Sequence, residues 1–295
     1  MGARLVARRV RSWLVRAAAG IGVLTLTACP AVPDEERMLL PRNDGSVMAL
    51  TQPCGEHRQI KPIMVRATHE WLDAERLRVV SWNLHKGVNQ GWERDLTRYA
   101  SDSDLVLLQE AVMTDAFRNL LDHVGHDWIM AGAFARNGVE RGVLVAARAR
   151  ALDGCTLRTF EPLMPLPKSA LVVRFRLGAT ATVAVANLHG INFSLGLERF
   201  REQLEAVASE LARHRGPAIL AGDFNTWSED RHDVLVKIAA RLGLVSVLID
   251  PDGRRRTLGQ HLDHFYFRGF RLVSASAPRV SSSDHNPILV ELELR

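Results

Sequence analysis

From residue 77 onward the chain alternates short apolar runs with polar turns. Runs rich in Val and Leu, several bounded by Gly, Pro or Asp, predict strands over 77–82, 105–109, 142–147, 170–177, 181–188, 218–221, 265–267, 272–276 and 288–294. Helices fit between some of them. Phe200, Leu204, Val207 and Leu211 recur at three- and four-residue steps and give one apolar stripe over 197–213, which Gly216-Pro217 ends. Val234, Leu235, Ile238 and Leu242 repeat that pattern over 230–242 and stop at Gly243, and a further helix is suggested over 114–121. Strands outnumber helices but interleave with them. The economical arrangement is an α/β fold of two packed sheets flanked by helices, in one domain over 76–295. Residues 30–75 differ, with Pro30, Pro33, Pro41, Pro53 and Pro62 and little periodicity, and they read as a tether and N-terminal extension.

A hydrophobic content of 47% with 24% charged residues suits a globular protein with a sizeable core and excludes a disordered or fibrous chain. The net charge of +5 points toward nucleic acid only until its position is read. Arg4, Arg8, Arg9, Arg11 and Arg16 all precede Cys29 with no acid among them, so the remainder of the chain is neutral. Those arginines lead into an apolar run over 17–27 that is short for a membrane span, and then into Leu26-Thr27-Ala28-Cys29. Basic head, apolar middle and small residues describe a signal peptide over 1–29. The cysteine at its end resembles a bacterial lipobox, which makes Cys29 the lipid anchor of an envelope protein facing the periplasm. An uncleaved anchor, or a start at Met38 or Met48 that leaves the protein in the cytoplasm, are the alternatives. Cys54 and Cys155 are expected to be unpaired, one of them buried, and their spacing supports no zinc site.

The candidate chemistry sits at strand ends. The run 78–82 leads into Asn83, 105–109 into Glu110, 183–188 into His189 and 218–222 into Asp223-Phe224-Asn225, while Ser283-Asp284-His285-Asn286-Pro287 opens the last strand. Strand ends are rigid mounts with exposed tips, where polar groups can converge accurately. Singly, each fragment has an ordinary explanation as a turn residue, a helix cap or a solvated side chain. Five in this placement point to phosphoryl transfer.

Mg²⁺ takes oxygen ligands and usually one or two carboxylates, a demand that Glu110 and Asp284 meet with help from the amide oxygen of Asn83; Mn²⁺ suits the same set. His261 and His264 would face opposite sides of a strand, which argues against a zinc pair. Cleavage further needs an oriented water and donors for the phosphoryl oxygens. Asp223 suits the first task; Asn225, His189 and a protonated His285 suit the second, with Asp263 as the partner that keeps His285 charged.

Trp82-Asn83, Leu108-Gln109-Glu110, Asn187-Leu188-His189, Gly222-Asp223-Phe224-Asn225, Leu262-Asp263-His264 and Ser283 to Pro287 together resemble the motifs of the endonuclease/exonuclease/phosphatase superfamily. DNase I-like nucleases, inositol-polyphosphate phosphatases and neutral sphingomyelinases belong to it. Lys168-Ser169-Ala170-Leu171, Asn192-Phe193-Ser194-Leu195-Gly196 and Arg254-Arg255-Arg256 add a narrower likeness to its bacterial YafD-like group. The resemblance implies a four-layered α/β sandwich, DNase I-like, with the site at one edge of the paired sheets. It implies Glu110 as the principal Mg²⁺ ligand with Asn83 beside it, and Asp284 completing the metal or water network. Asp223 and Asn225 would serve the attacking water and the transition state, His189 would touch the scissile phosphate, and Asp263 would pair with His285. One departure stands out: some nucleases of the superfamily carry an acid two positions after the strand-end Asn, where this chain has His85, which puts a second metal in doubt.

The expected activity is therefore a Mg²⁺-dependent phosphodiesterase, nuclease-like, with Lys86, Arg141 and Lys168 as substrate-binding cations. Arg136 and Arg254 to Arg256 could line the same cleft or be scattered solvated charges. A lipid head-group or sugar-phosphate phosphoesterase is the alternative, with Trp82, Trp92 and the 193–195 segment available as an apolar lip, although Trp82 fits buried core better; a non-catalytic envelope binding protein is the third reading. No protein partner is implied.

Overall fold

The computed structural model describes residues 30–42, 44–55, 67, 69–194 and 196–295. The signal segment and Cys29 lie outside them. In chain order the elements are β1 (Arg37–Pro41), β2 (Val47–Thr51), β3 (Leu77–Asn83), α1 (Trp92–Ser101), β4 (Leu105–Val112), α2 (Asp115–His123), β5 (Asp127–Arg136), β6 (Val139–Ala147), β7 (Ala151–Phe160) and β8 (Pro167–Leu177). They continue with β9 (Ala181–His189), α3 (Glu198–Ala212), β10 (Ala218–Asp223), α4 (Glu229–Arg241), β11 (Val245–Ser246), β12 (Arg256–Thr257), β13 (Gln260–His261), β14 (Asp263–Arg268), β15 (Phe270–Ser276) and β16 (Ile288–Leu294).

Among the described residues the strands form an eight-stranded sheet ordered β15-β16-β3-β4-β6-β5-β1-β2 and a six-stranded sheet ordered β11-β14-β10-β9-β8-β7, with β12-β13 as a small hairpin. Side chains alternate across each strand, and the alternation explains the layering. Val79, Leu105, Leu107, Val143 and Val145 of the larger sheet face Leu171, Val173, Val183, Val185 and Ile219 of the smaller one in a shared core. The opposite face of the larger sheet, with Val80, Val106, Leu108 and Leu144, buries Leu96 of α1 and Phe117 and Leu121 of α2. The outer face of the smaller sheet, with Ala184, Ala186, Ala218 and Leu220, buries the stripe Phe200, Leu204, Val207 and Leu211 of α3 and Val234 and Leu235 of α4. Helices, sheet, sheet and helices make four layers, as the motif resemblance implied.

Every run predicted as a strand is a strand, most of them longer than the apolar run alone. The helix over 114–121 starts one residue later, because the Thr114 hydroxyl accepts the Phe117 N–H as its cap. The stretch read as tether and extension carries β1 and β2, which prolong the larger sheet through pairing of β1 with β5.

Cys54 and Cys155 correct the expectation of free thiols: they form a disulfide with Cα atoms 4.7 Å apart. Pro53 bridges Thr156 and the Cys54 N–H donates to the Thr156 carbonyl at 3.0 Å, so local pairing with β7 places the sulfurs together. A cross-link over 101 residues restricts the unfolded chain strongly. Reduction, or the Cys54→Ser/Cys155→Ser pair, is expected to cost about 2–4 kcal/mol. Thermal melts with and without reductant check this; coincident melts would show that the cross-link adds nothing.

Candidate active site

Three polar strand-end residues share one row across the smaller sheet: His189 of β9 pairs in register with Asp223 of β10, which pairs with Asp263 of β14. Asn83, at the end of β3 in the other sheet, donates from Nδ2 to Asp223 Oδ2 at 2.9 Å and ties the two sheets together at this edge. The loop before β16 folds over the row and brings His285 down onto it, with Nδ1 2.7 Å from Asp263 Oδ2 and Nε2 3.8 Å from Asp223 Oδ2. That loop is fixed from below. Trp82 Nε1 donates to the His285 carbonyl at 3.0 Å, and Ser283 Oγ donates to the Asn83 carbonyl at 2.7 Å. Trp82 is thus core, not lip.

Gly222 makes the row possible. Its φ of +143° is one that side-chain-bearing residues rarely adopt, and a Cβ there would meet the Leu188 carbonyl oxygen at 2.0 Å. Any larger residue would push β9 and β10 apart next to Asp223.

The electrostatics separate the titrating groups. Burial raises the Asp223 carboxyl to about 6, with Asp263 adding to the rise and the His285 charge opposing it. Burial works against a charged His285, but Asp263 and Asp223 outweigh it and lift the imidazole to about 10. His189 goes the other way: burial, then the charges of Lys168 and His285, hold it well below its ordinary value. It is neutral, and Lys168 Nζ donates to its Nε2 at 2.9 Å. Burial also lowers Lys168, while the carboxylates of Glu110 and Asp223 work to keep its charge.

Glu110 completes the edge from β4, at φ +52°. Its Oε2 lies 2.7 Å from Lys86 Nζ, yet that oxygen is buried and makes no well-aligned hydrogen bond. Lys86 itself sits at φ +59° in the turn His85–Gly87. Asp284 stands at the rim with its carboxylate 3.7 Å from His85 Nε2. Asn83 Oδ1 accepts the His85 N–H at 3.0 Å, leaving one lone pair on that oxygen.

Three buried polar side chains that the sequence reading missed hold the loop after His189. Gln203 of α3 accepts the Ile191 N–H at 2.8 Å and donates to the His189 carbonyl at 3.1 Å. Arg231 of α4 donates to the carbonyls of Ile191 and Asn225 at 2.8 and 2.9 Å while lying over the Phe200 and Trp227 rings. Glu161, just beyond β7, accepts the Asn192 and Phe193 N–H groups. Asn225, at φ +52°, donates from Nδ2 to the Gly190 carbonyl at 2.8 Å, and Asp223 Oδ1 accepts the Asn225 N–H at 3.0 Å. No periodicity marks these residues, because helix positions that look solvated become buried only when loops dock on them.

His264 is a packed core residue. Its Nε2 lies 2.7 Å from Thr226 Oγ1, and burial, with Arg254 and His232 adding, drops it to about 3. His261 instead faces Asp252 at 3.4 Å, so the two histidines form no pair. Arg254, named with the cleft cations, forks onto Asp252 and donates to the Asp263 carbonyl at 3.0 Å.

Comparison with known proteins agrees with this geometry. The profile described as "Endonuclease/Exonuclease/phosphatase family" matches residues 80–285. A UPF0294 protein of Vibrio cholerae is 38% identical over 252 residues, covering 83% of this chain and 90% of the relative. A UPF0294 protein of Yersinia enterocolitica is 39% identical over 219 residues, covering 74% and 84%. Among solved structures, an endonuclease/exonuclease/phosphatase from Beutenbergia cavernae superposes with a TM-score of 0.57 at 20% identity, covering 75% of this chain and 72% of that one. One from Bacteroides vulgatus gives 0.55 at 18% identity, covering 75% and 99%.

Proposed function

The chain belongs to the endonuclease/exonuclease/phosphatase family, and from that membership we propose that it is a divalent-cation-dependent phosphodiesterase, nuclease-like in how it cleaves. One observation carries the reading. A buried carboxylate, Asp223, lies between two imidazoles, His189 and His285, at 3.5 and 3.8 Å, at the edge where both sheets end. A structural ion pair would need one histidine, and would not hold the first neutral and the second charged. Groups pushed in opposite directions mark separate acid and base roles.

In this reading Asp223 takes the proton of the attacking water. Its raised value leaves it ionised at neutral pH yet far more basic than an exposed aspartate. Asp263 orients His285, whose charge meets the phosphoryl oxygens, and Lys168 supplies a second charge from the His189 side. Asn225 has one amide proton left for the transition state. The water oxygen bonds to phosphorus as one P–O ester bond breaks, and the leaving oxygen keeps that bond's electron pair and takes a proton from solvent.

The donor set fits a hard cation. Glu110 Oε2 is a buried carboxylate oxygen without a proper hydrogen bond, Asn83 keeps a lone pair, and Asp284 adds a rim carboxylate; among the described residues both cysteines, Cys54 and Cys155, are cross-linked and offer no thiolate. Mg²⁺ or Mn²⁺ held there would neutralise charge on the phosphoryl oxygens and acidify water. Chelation with EDTA is expected to abolish turnover, and added Mg²⁺ or Mn²⁺ to restore it. Full turnover in chelator would refute the cation's part.

Export and lipid anchoring at Cys29 are proposed alongside. The Cys54–Cys155 disulfide supports an oxidising compartment. Cys29→Ala should move the protein from the membrane fraction to the soluble one; unchanged fractionation would remove the anchor.

A further inference from the structure

Beside Glu110 and His189 the surface sinks into a pocket of about 260 Å³. Its lining combines the cations Lys86, Arg141 and Lys168 with the apolar Phe134, Met164 and Phe193. Met164 and Phe193 are 40% and 49% exposed, and Leu163 on the same rim segment is 60% exposed. Contiguous apolar surface around a polar cleft marks a binding site more often than isolated exposed residues do. The two exposed apolar segments are also fixed relative to each other. Glu161 binds the backbone of Asn192 and Phe193 at 2.8 and 2.7 Å, which holds Phe193 against the 161–167 segment and occupies both carboxylate oxygens.

Arg141 also lines the cavity, and its guanidinium carries donors suited to an oxygen of a bound molecule.

The same cations fit a polynucleotide poorly. Polynucleotide binding rests on several exposed Lys or Arg side chains spread along a backbone. Here Lys86 is against Glu110 at 2.7 Å, Lys168 turns inward to His189 at 2.9 Å, and Arg254 is paired with Asp252 at 2.8 Å. Of the cations named for the cleft, Lys86, Arg141 and Lys168 line this one cavity, while Arg136, Arg255 and Arg256 are exposed outside it.

Resting on the phosphodiesterase reading, we propose that this pocket holds one ester arm of the substrate and that the substrate class is a phosphodiester with an apolar arm, as a phospholipid or a soluble alkyl diester would present. The arm lies between Met164 and Phe193, Arg141 donates to an oxygen on it, and the phosphoryl group lies over Lys168 and His285. Hydrolysis releases one alcohol and leaves the other arm on a phosphomonoester.

The test uses p-nitrophenyl phosphodiesters whose second arm is methyl, butyl or hexyl, with Mn²⁺, so that the leaving group stays constant. From methyl to hexyl, kcat/KM is expected to rise about tenfold or more. Phe193→Asp and Met164→Asp, each at an exposed position, should flatten that dependence. A flat series in the wild type, or a single- or double-stranded oligonucleotide cleaved with higher kcat/KM than the hexyl ester, overturns the proposal. Short-chain phosphatidylglycerol monomers and phosphatidylglycerol vesicles separate the sources: cleavage of vesicles identifies membrane lipid, and cleavage of monomers alone identifies a soluble diester. Calorimetric binding of hexyl- against methylphosphonate keeps this proposal distinct from the catalytic one. Tighter hexyl binding, weakened by Phe193→Asp, supports the pocket even if no diester is hydrolysed, and equal binding overturns it.

Discussion

Asp223→Asn is expected to lower kcat/KM for a phosphodiester by roughly 10²–10⁴-fold, the range a positioned general base contributes, while the thermal melt moves by only a few degrees. Both carboxylate oxygens are committed. Oδ1 accepts the Asn225 N–H and Oδ2 accepts from Asn83 Nδ2, leaving Oδ2 as the atom between the two imidazoles. Asparagine keeps the shape and one acceptor but cannot take a proton from water. The hydrogen bond it loses is partly offset because a buried carboxylate no longer has to be kept out of solvent. Steady-state kinetics with Mn²⁺ and a melt on the same preparation check both halves. Activity within tenfold of wild type would remove Asp223 from the reaction.

His285→Gln should cost about 10²–10³-fold in kcat/KM, as loss of a preorganised charge at the phosphoryl oxygens does. The pH dependence follows from the same two groups. Asp223 must be ionised, so the rate falls on the acid side near 6. His285 must be charged, so it falls on the alkaline side near 10, with a plateau between. Stability carries the same signature with a definite sign. The folded state holds the His285 proton more tightly than the unfolded chain, so its contribution is fully present below about 6.5 and is lost as pH rises through about 10. Wild type should therefore lose stability relative to His285→Gln across that window. A wild-type rate profile without the alkaline limb, or one that His285→Gln leaves in place, would contradict the assignment.

Much of the architecture was legible because it rests on a local signal. Val and Leu runs such as 105–109 and 183–188 alternate between two buried faces, and alternation survives any tertiary context. The strands that escaped notice lack that signal. β5 reads Asp-Trp-Ile-Met-Ala-Gly-Ala-Phe-Ala-Arg and β7 mixes Asp, Gly, Cys, Thr and Arg, so neither is a clean apolar run. β1 and β2 lie in a proline-rich stretch and are strands because β5 offers them an edge.

The site divides along the same line. Asp223, Asp263, His285 and Glu110 abut apolar strands and could be picked out by position. The pairing of His285 with Asp263 was anticipated, and the structure places them 2.7 Å apart. What could not be read is anything that depends on docking: the disulfide across 101 residues, the lysine that meets His189, and the Gln203, Glu161 and Arg231 side chains that fix the loop between them. Trp82 was legible as core from its place in an apolar strand, and its indole nitrogen reaches the His285 carbonyl from there.

If one buried carboxylate drives water onto a phosphorus atom held at the edge of the paired sheets, hydrolysis of a chromogenic aryl phosphodiester in ¹⁸O-labelled water, with Mn²⁺, will show it. One labelled oxygen is expected on the phosphoryl product of the wild-type protein, none on the phenol, and about 10²-fold less product or lower still from Asp223→Asn. Label on the phenol, or equal product from the two proteins, would contradict it.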